Sequence, residues 1–127
     1  MNMKRRDCRD YFQDIFSSIE DIILFTGNLS FDSFGEDKKT IYAVIKCFEI
    51  IGEATKKIPK SFRLKYPSIP WKRMAGMRDK MIHEYFGTDV KIIWKTARED
   101  VPPLKSLLKK ALKDLGIKQA PLPFRHK

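Results

Sequence analysis

The stretch Ile41-Tyr42-Ala43-Val44-Ile45-Lys46-Cys47-Phe48-Glu49-Ile50-Ile51-Gly52-Glu53-Ala54 decides the fold. Ile41, Val44, Ile45, Phe48 and Ile51 recur at spacings of three and four, the period of an α-helix with one buried face. Gly52 falls on that same face. A glycine costs a helix stability, so its placement there predicts the close approach of a neighbouring helix. Glu36 and Asp37 suit the positive N-terminal end of this helix, and Pro59 closes it.

The same period extends outward on both sides. Phe12, Ile15, Phe16, Ile19, Ile22 and Ile23 predict a helix over residues 6–25, ended by Gly27-Asn28. Residues 29–35 read as a loop. Beyond Pro59, residues 61–66 fit one helical turn, and Tyr66-Pro67-Ser68-Ile69-Pro70-Trp71 fits a rigid connector. Pro70 is placed to start a third helix over residues 71–85, which stops at Gly87. Thr88 or Asp89 caps a fourth, with Val90, Ile93, Trp94 and Ala97 inward, and Pro102-Pro103 breaks or kinks it. Leu104, Leu107, Leu108, Ala111, Leu112 and Leu115 form a last stripe, ended by Gly116. There is no β-pattern and no internal repeat. The expectation is an all-α fold, an antiparallel bundle of four to five helices. It forms a single domain over residues 1–118, followed by a flexible C-terminal tail over 119–127.

The chain has 127 residues, the size of one domain, and 26 Lys and Arg against 16 Asp and Glu. The net charge of +10 favours a polyanionic partner, nucleic acid first and an acidic protein second. Cys8 and Cys47 lack metal-ligand spacing and read as free thiols in a reducing cytoplasm. No apolar run follows the basic N-terminus, so neither a signal peptide nor a membrane span is expected.

The chemistry concentrates in residues 77–89. They hold His83, the only histidine outside the extreme C-terminus, with Arg78 five residues before it and Tyr85 two after it. Five residues turn about 140° around a helix and rise roughly 7.5 Å. A straight helix therefore splits the polar set into two lines, Arg78 with Tyr85 and Asp79 with His83. A second copy of the chain across a two-fold axis would bring two arginines and two histidines to one cleft. The set fits phosphodiester cleavage in RNA: the 2′-OH needs a base, the leaving 5′-oxygen an acid, and the phosphate positive charge. Imidazole serves as base or acid near neutrality. Guanidinium grips phosphate in a bidentate fork, and Asp79 is placed to orient the imidazole. On spacing alone, a merely structural His–Arg pair is the commoner outcome. Trp71, Trp94 and Phe86 can stack on bases, but core packing is their commoner fate. Lys56, Lys57, Lys60, Arg63 and Lys65 guide RNA or form a solvated face, and Glu53 is a candidate partner for Arg78.

Arg78-x4-His83-x-Tyr85 resembles the R-x4-H-x-Y signature of the HepT toxins, a branch of the HEPN superfamily. Gly52-Glu53-Ala54, Pro67-x-Ile69-Pro70-Trp71, Met77-Arg78-Asp79-Lys80 and the run from His83 to Asp89 extend the likeness over most of the chain. The resemblance implies a dimeric all-α bundle and a metal-independent endoribonuclease with Arg78 and His83 catalytic and Asp79 supporting. No cofactor is implied. It further implies a nucleotidyltransferase antitoxin that transfers AMP to Tyr85. Two rival expectations stand beside it: a non-catalytic helical adaptor, and a nucleic-acid binder that does not cut.

Overall fold

In the computed structural model, which describes residues 7–87 and 89–117, the chain is all-α, with no strand among the described residues. The helices are α1 (Cys8–Thr26), α2 (Phe31–Gly35), α3 (Lys38–Lys57), α4 (Lys60–Arg63), α5 (Trp71–Ala75), α6 (Met77–Phe86), α7 (Val90–Lys95) and α8 (Val101–Asp114). A π-helical turn, Thr96–Asp100, joins the last two. Arg6, Thr88 and the tail over 119–127 lie outside the described residues.

Local chemistry explains the helix ends. Asp7 accepts from the Arg9 and Asp10 N–H groups while Asp10 accepts from the Asp7 N–H, closing a capping box on α1. At the end of α1 the Leu29 N–H donates to Thr26 O, and Arg98 reaches across to donate to Thr26 O and Gly27 O at 3.1 and 3.0 Å. Asp37 caps α3 by accepting from the Thr40 N–H at 3.0 Å and its hydroxyl at 2.7 Å, which holds its carboxyl below the usual range. Gly116, at φ 72°, ends α8: it donates to Lys113 O, and Ile117 donates to Leu112 O.

Two expectations are corrected and a third is refined. Residues 31–35 are helical rather than loop, because the Ser30 hydroxyl caps the turn at Ser33 N and Phe34 drops into the core. The expected third helix is two, broken at Gly76, whose φ of −89° and ψ of −1° end α5 and start α6. The break expected at Pro102-Pro103 falls just before them, as a π turn between α7 and α8. A regular α-helix would clash there with the carbonyls of Arg98 and Glu99. The chain widens instead into the π turn, with Val101 N donating to Thr96 O, and the prolines sit in the first turn of α8.

α1 packs between α3 and α8, and α3 in turn packs against α5 and α6. Lys105 pairs with Glu20 at 3.4 Å while Arg98 holds residues 26 and 27, so α8 runs antiparallel to α1. Phe12, Phe16, Phe48, Ile51, Met81 and Leu108 are fully or almost fully buried, each contributing about 1.5–3 kcal/mol. Trp71 is core: its ring meets Phe12 edge-on at 5.8 Å, and its Nε1 donates to the carbonyls of Arg63 and Tyr66. Trp94 packs half-buried against Phe31. Phe86 departs from the core expectation and stands 77% exposed. Burial pushes the Cys47 thiol up to about 11, which makes it a poor nucleophile. Among the described residues, no helix is long and apolar enough to cross a membrane.

Candidate active site on the face between α3 and α6

α6 is a polar helix with two buried anchors, Met77 and Met81, one turn apart. They seat it against α3 and thereby decide which way its polar residues point. Arg78 and Tyr85, seven residues apart, both turn toward α3. Arg78 Nε donates to Glu49 Oε2 at 3.3 Å and lies 3.5 Å from Glu53 Oε2. Its Nη1 donates to Asp79 Oδ1 at 3.3 Å. Glu49 Oε1 also receives Lys46 Nζ at 3.4 Å. The Arg78 hydrogen bond holds the Glu49 carboxyl below its usual range, and Glu49 reciprocally raises Arg78. Two carboxylates from α3 thus grip the Nε side of one guanidinium.

Gly52 makes that grip possible. A Cβ there would lie 3.2 Å from both Cβ and N of Arg78 and 3.3 Å from Ala75 O, so α3 and α6 meet at the glycine. The close approach read from the sequence occurs, and Arg78 itself is what comes close. Glu53 reaches Arg78, as its candidacy required.

One residue before the end of α6, the Tyr85 hydroxyl donates to the Tyr42 hydroxyl at 3.3 Å. That bond is the main reason the Tyr85 phenol is raised above its ordinary value. The two rings meet edge-to-face at 5.6 Å, and Phe86 meets Tyr85 likewise at 5.3 Å. His83 occupies the last turn of α6 and is exposed. The Asp79–His83 contact expected from their spacing is not formed among the described residues. Asp79 turns to the fixed charge of Arg78 instead, so the imidazole is not oriented from its own helix. Arg78 and His83 therefore stay on separate lines of one helix, as a straight helix requires.

Sequence reading missed Tyr42 and Glu49. A signal was present: Tyr42 and Glu49 are seven residues apart on α3, as Arg78 and Tyr85 are on α6, and antiparallel helices match the two pairs end to end. Of the basic stretch, Lys56, Lys57, Lys60 and Lys65 are exposed, while Arg63 donates its Nε to Ile58 O at 3.0 Å. A groove of about 250 Å³ between α1 and α3, floored by Ile50 and Ala54, borders the site along Glu49 and Glu53.

The all-α bundle, matched by a family model over most of its length, places the chain in the HEPN superfamily. Within that class, the chain belongs to the ribonuclease HepT-like family, whose model matches residues 15–111. A Methanocaldococcus jannaschii protein named as a candidate RNase is 50% identical over 89% of this chain and 97% of its own length. A second from that organism, named in the same way, is 48% identical over 89% and 93%. A Thermococcus cleftensis protein named as a probable ribonuclease HepT is 51% identical over 86% and 99%. No solved structure matches the chain significantly.

Proposed function

We propose that the chain is a metal-independent endoribonuclease, the toxin of a type II toxin–antitoxin pair acting on cytoplasmic RNA. The observation that carries this reading is the pairing of a held Arg78 with an exposed His83 on one helix, in a chain of a ribonuclease family. The 2′-oxygen of the substrate attacks the adjacent phosphorus as it loses its proton. The bond from phosphorus to the 5′-oxygen breaks, and that oxygen takes a proton. The products are a 2′,3′-cyclic phosphate and a 5′-hydroxyl. His83 moves protons, and Arg78 bears on the charge that grows on the phosphate oxygens.

One imidazole cannot be base and acid in the same step. Because His83 and Arg78 lie on different lines of α6, a two-fold homodimer that faces two copies across a cleft completes the set. Control falls to Tyr85. A cognate nucleotidyltransferase transfers AMP to it: the phenol oxygen attacks the α-phosphorus of ATP, and pyrophosphate leaves. The added phosphodiester brings a charge of about −1 to the face that holds Arg78 and competes there with the RNA phosphate.

The test is cleavage of single-stranded RNA in EDTA. Cutting is expected to persist, to leave 2′,3′-cyclic ends, and to stop when the scissile nucleotide is 2′-deoxy. His83→Ala should lower the rate about 10²–10⁴-fold. Equal cleavage of the deoxy substrate rejects the mechanism, and full activity of His83→Ala rejects the site. Incubation with the nucleotidyltransferase and ATP should add AMP mass units to wild type but not to Tyr85→Phe.

A further inference from the structure

Phe86 is the most exposed of the large apolar side chains among the described residues. A bare ring at a helix end invites a cover. It does not stand alone. Phe86 abuts Tyr85, Tyr85 abuts Tyr42, and Tyr42 is itself 52% exposed. The three rings form a row from the end of α6 to the first turns of α3. His83 lies three residues before Phe86, on the same side of α6, and is exposed. On α3, the exposed Lys38 and Lys39 precede Tyr42 by one turn. The row thus runs from the imidazole to a pair of cations.

We propose that this row is a subsite for an unpaired nucleobase of the substrate. Phe86 supplies the stacking surface, Tyr42 the far edge, and Lys38 and Lys39 hold a neighbouring phosphate. The inference rests on the ribonuclease reading. Cleavage through a 2′-OH demands a flexible, unstacked nucleotide, and aromatic side chains are the usual receivers of a base drawn out of its stack. The surroundings fit a nucleotide better than a protein surface. The exposed Lys38, Lys39 and His83 lie at the ends of the row, on a chain of net charge +10.

The experiment uses a short single-stranded RNA carrying 2′-O-methyl groups throughout and 2-aminopurine as a reporter base. Such an RNA offers no 2′-OH nucleophile, so binding is read apart from cleavage. Wild type should bind it and quench the reporter. Phe86→Ala should weaken binding about tenfold or more and lose the quenching, without a shift in melting temperature. Phe86→Trp should restore both. Lys38→Ala with Lys39→Ala should flatten the salt dependence of binding. Wild-type affinity in Phe86→Ala, or a loss that Trp does not rescue, overturns the subsite and leaves the ribonuclease reading standing. A change of sedimentation coefficient in Phe86→Ala overturns it in favour of a contact between copies of this chain. A wild-type protein that neither binds this RNA nor cuts a cleavable one removes the ribonuclease reading and the subsite together.

Discussion

Glu49 is the residue on which the site's geometry turns. It comes from a different helix than Arg78, is half-buried, and takes the guanidinium through Nε. Glu53 and Asp79 are more exposed and share the load. Glu49→Ala removes the fixed partner, and small displacements of a charged group cost activity steeply. A fall of about 10- to 100-fold in kcat/KM is expected, with Glu49→Gln intermediate because its amide oxygen still accepts. The pH dependence follows from the direction of the shift. A carboxyl held below its ordinary value contributes stability that is present above the unfolded value, about 4.3, and is lost as pH falls through the lowered native one. The difference in denaturation midpoint between wild type and Glu49→Gln should stay constant from neutral pH to about 5 and close in stronger acid. A difference that grows on acidification would remove Glu49 from the network.

At the scale of elements, two glycines make opposite predictions. Gly52 sits where α3 and α6 touch, and a methyl there presses on Arg78 and on the Ala75 carbonyl, neither of which is a flexible tip. The helices must part by a few tenths of an ångström. The propensity gained by replacing a helical glycine, about 0.5–1 kcal/mol, is smaller than overpacking costs of about 1–3 kcal/mol. Gly52→Ala should therefore lower stability in urea and lower cleavage further still. Gly76 has backbone angles any residue adopts, and its nearest neighbours would be 3.7 Å from a new Cβ. Gly76→Ala should raise stability by about 0.4–1 kcal/mol and leave the α5–α6 break in place. Equal effects of the two substitutions would show that the Gly52 contact is not what sets the spacing.

At the scale of the whole molecule, charge and symmetry act together. A surplus of ten positive charges draws RNA at long range, so affinity should fall linearly on a logarithmic salt scale, by about 0.7 per phosphate engaged on a single strand. The same surplus repels a second copy. The proposed pairing would need contacts that outlast that repulsion, and added salt should favour it. Sedimentation at micromolar concentration is expected to show a dimer. A monomer that still cuts RNA would confine the acid, the base and the arginine to one chain and reject the shared cleft.

The all-α class and the buried faces of the long helices were legible in the amino-acid order, because a period of three and four residues is a local property. So was the close contact at Gly52, since a glycine on a buried stripe has few other uses. The break at Gly76, the helical turn over 31–35 and the π turn before Pro102 were not, because each balances a weak local preference against packing from elsewhere in the chain. The partners of the site residues belong to the same class. Asp79 could equally face His83 or Arg78 along its own helix, and the three-dimensional fold decided for Arg78. Glu49 and Tyr42 became site residues only when α3 was laid antiparallel against α6. Phe86, apolar by sequence, was left in water because Met77 and Met81 turn the buried side of α6 away from it. A single helix specifies its own faces; what each face meets depends on contacts between residues distant along the chain, and those exist only once the bundle has closed.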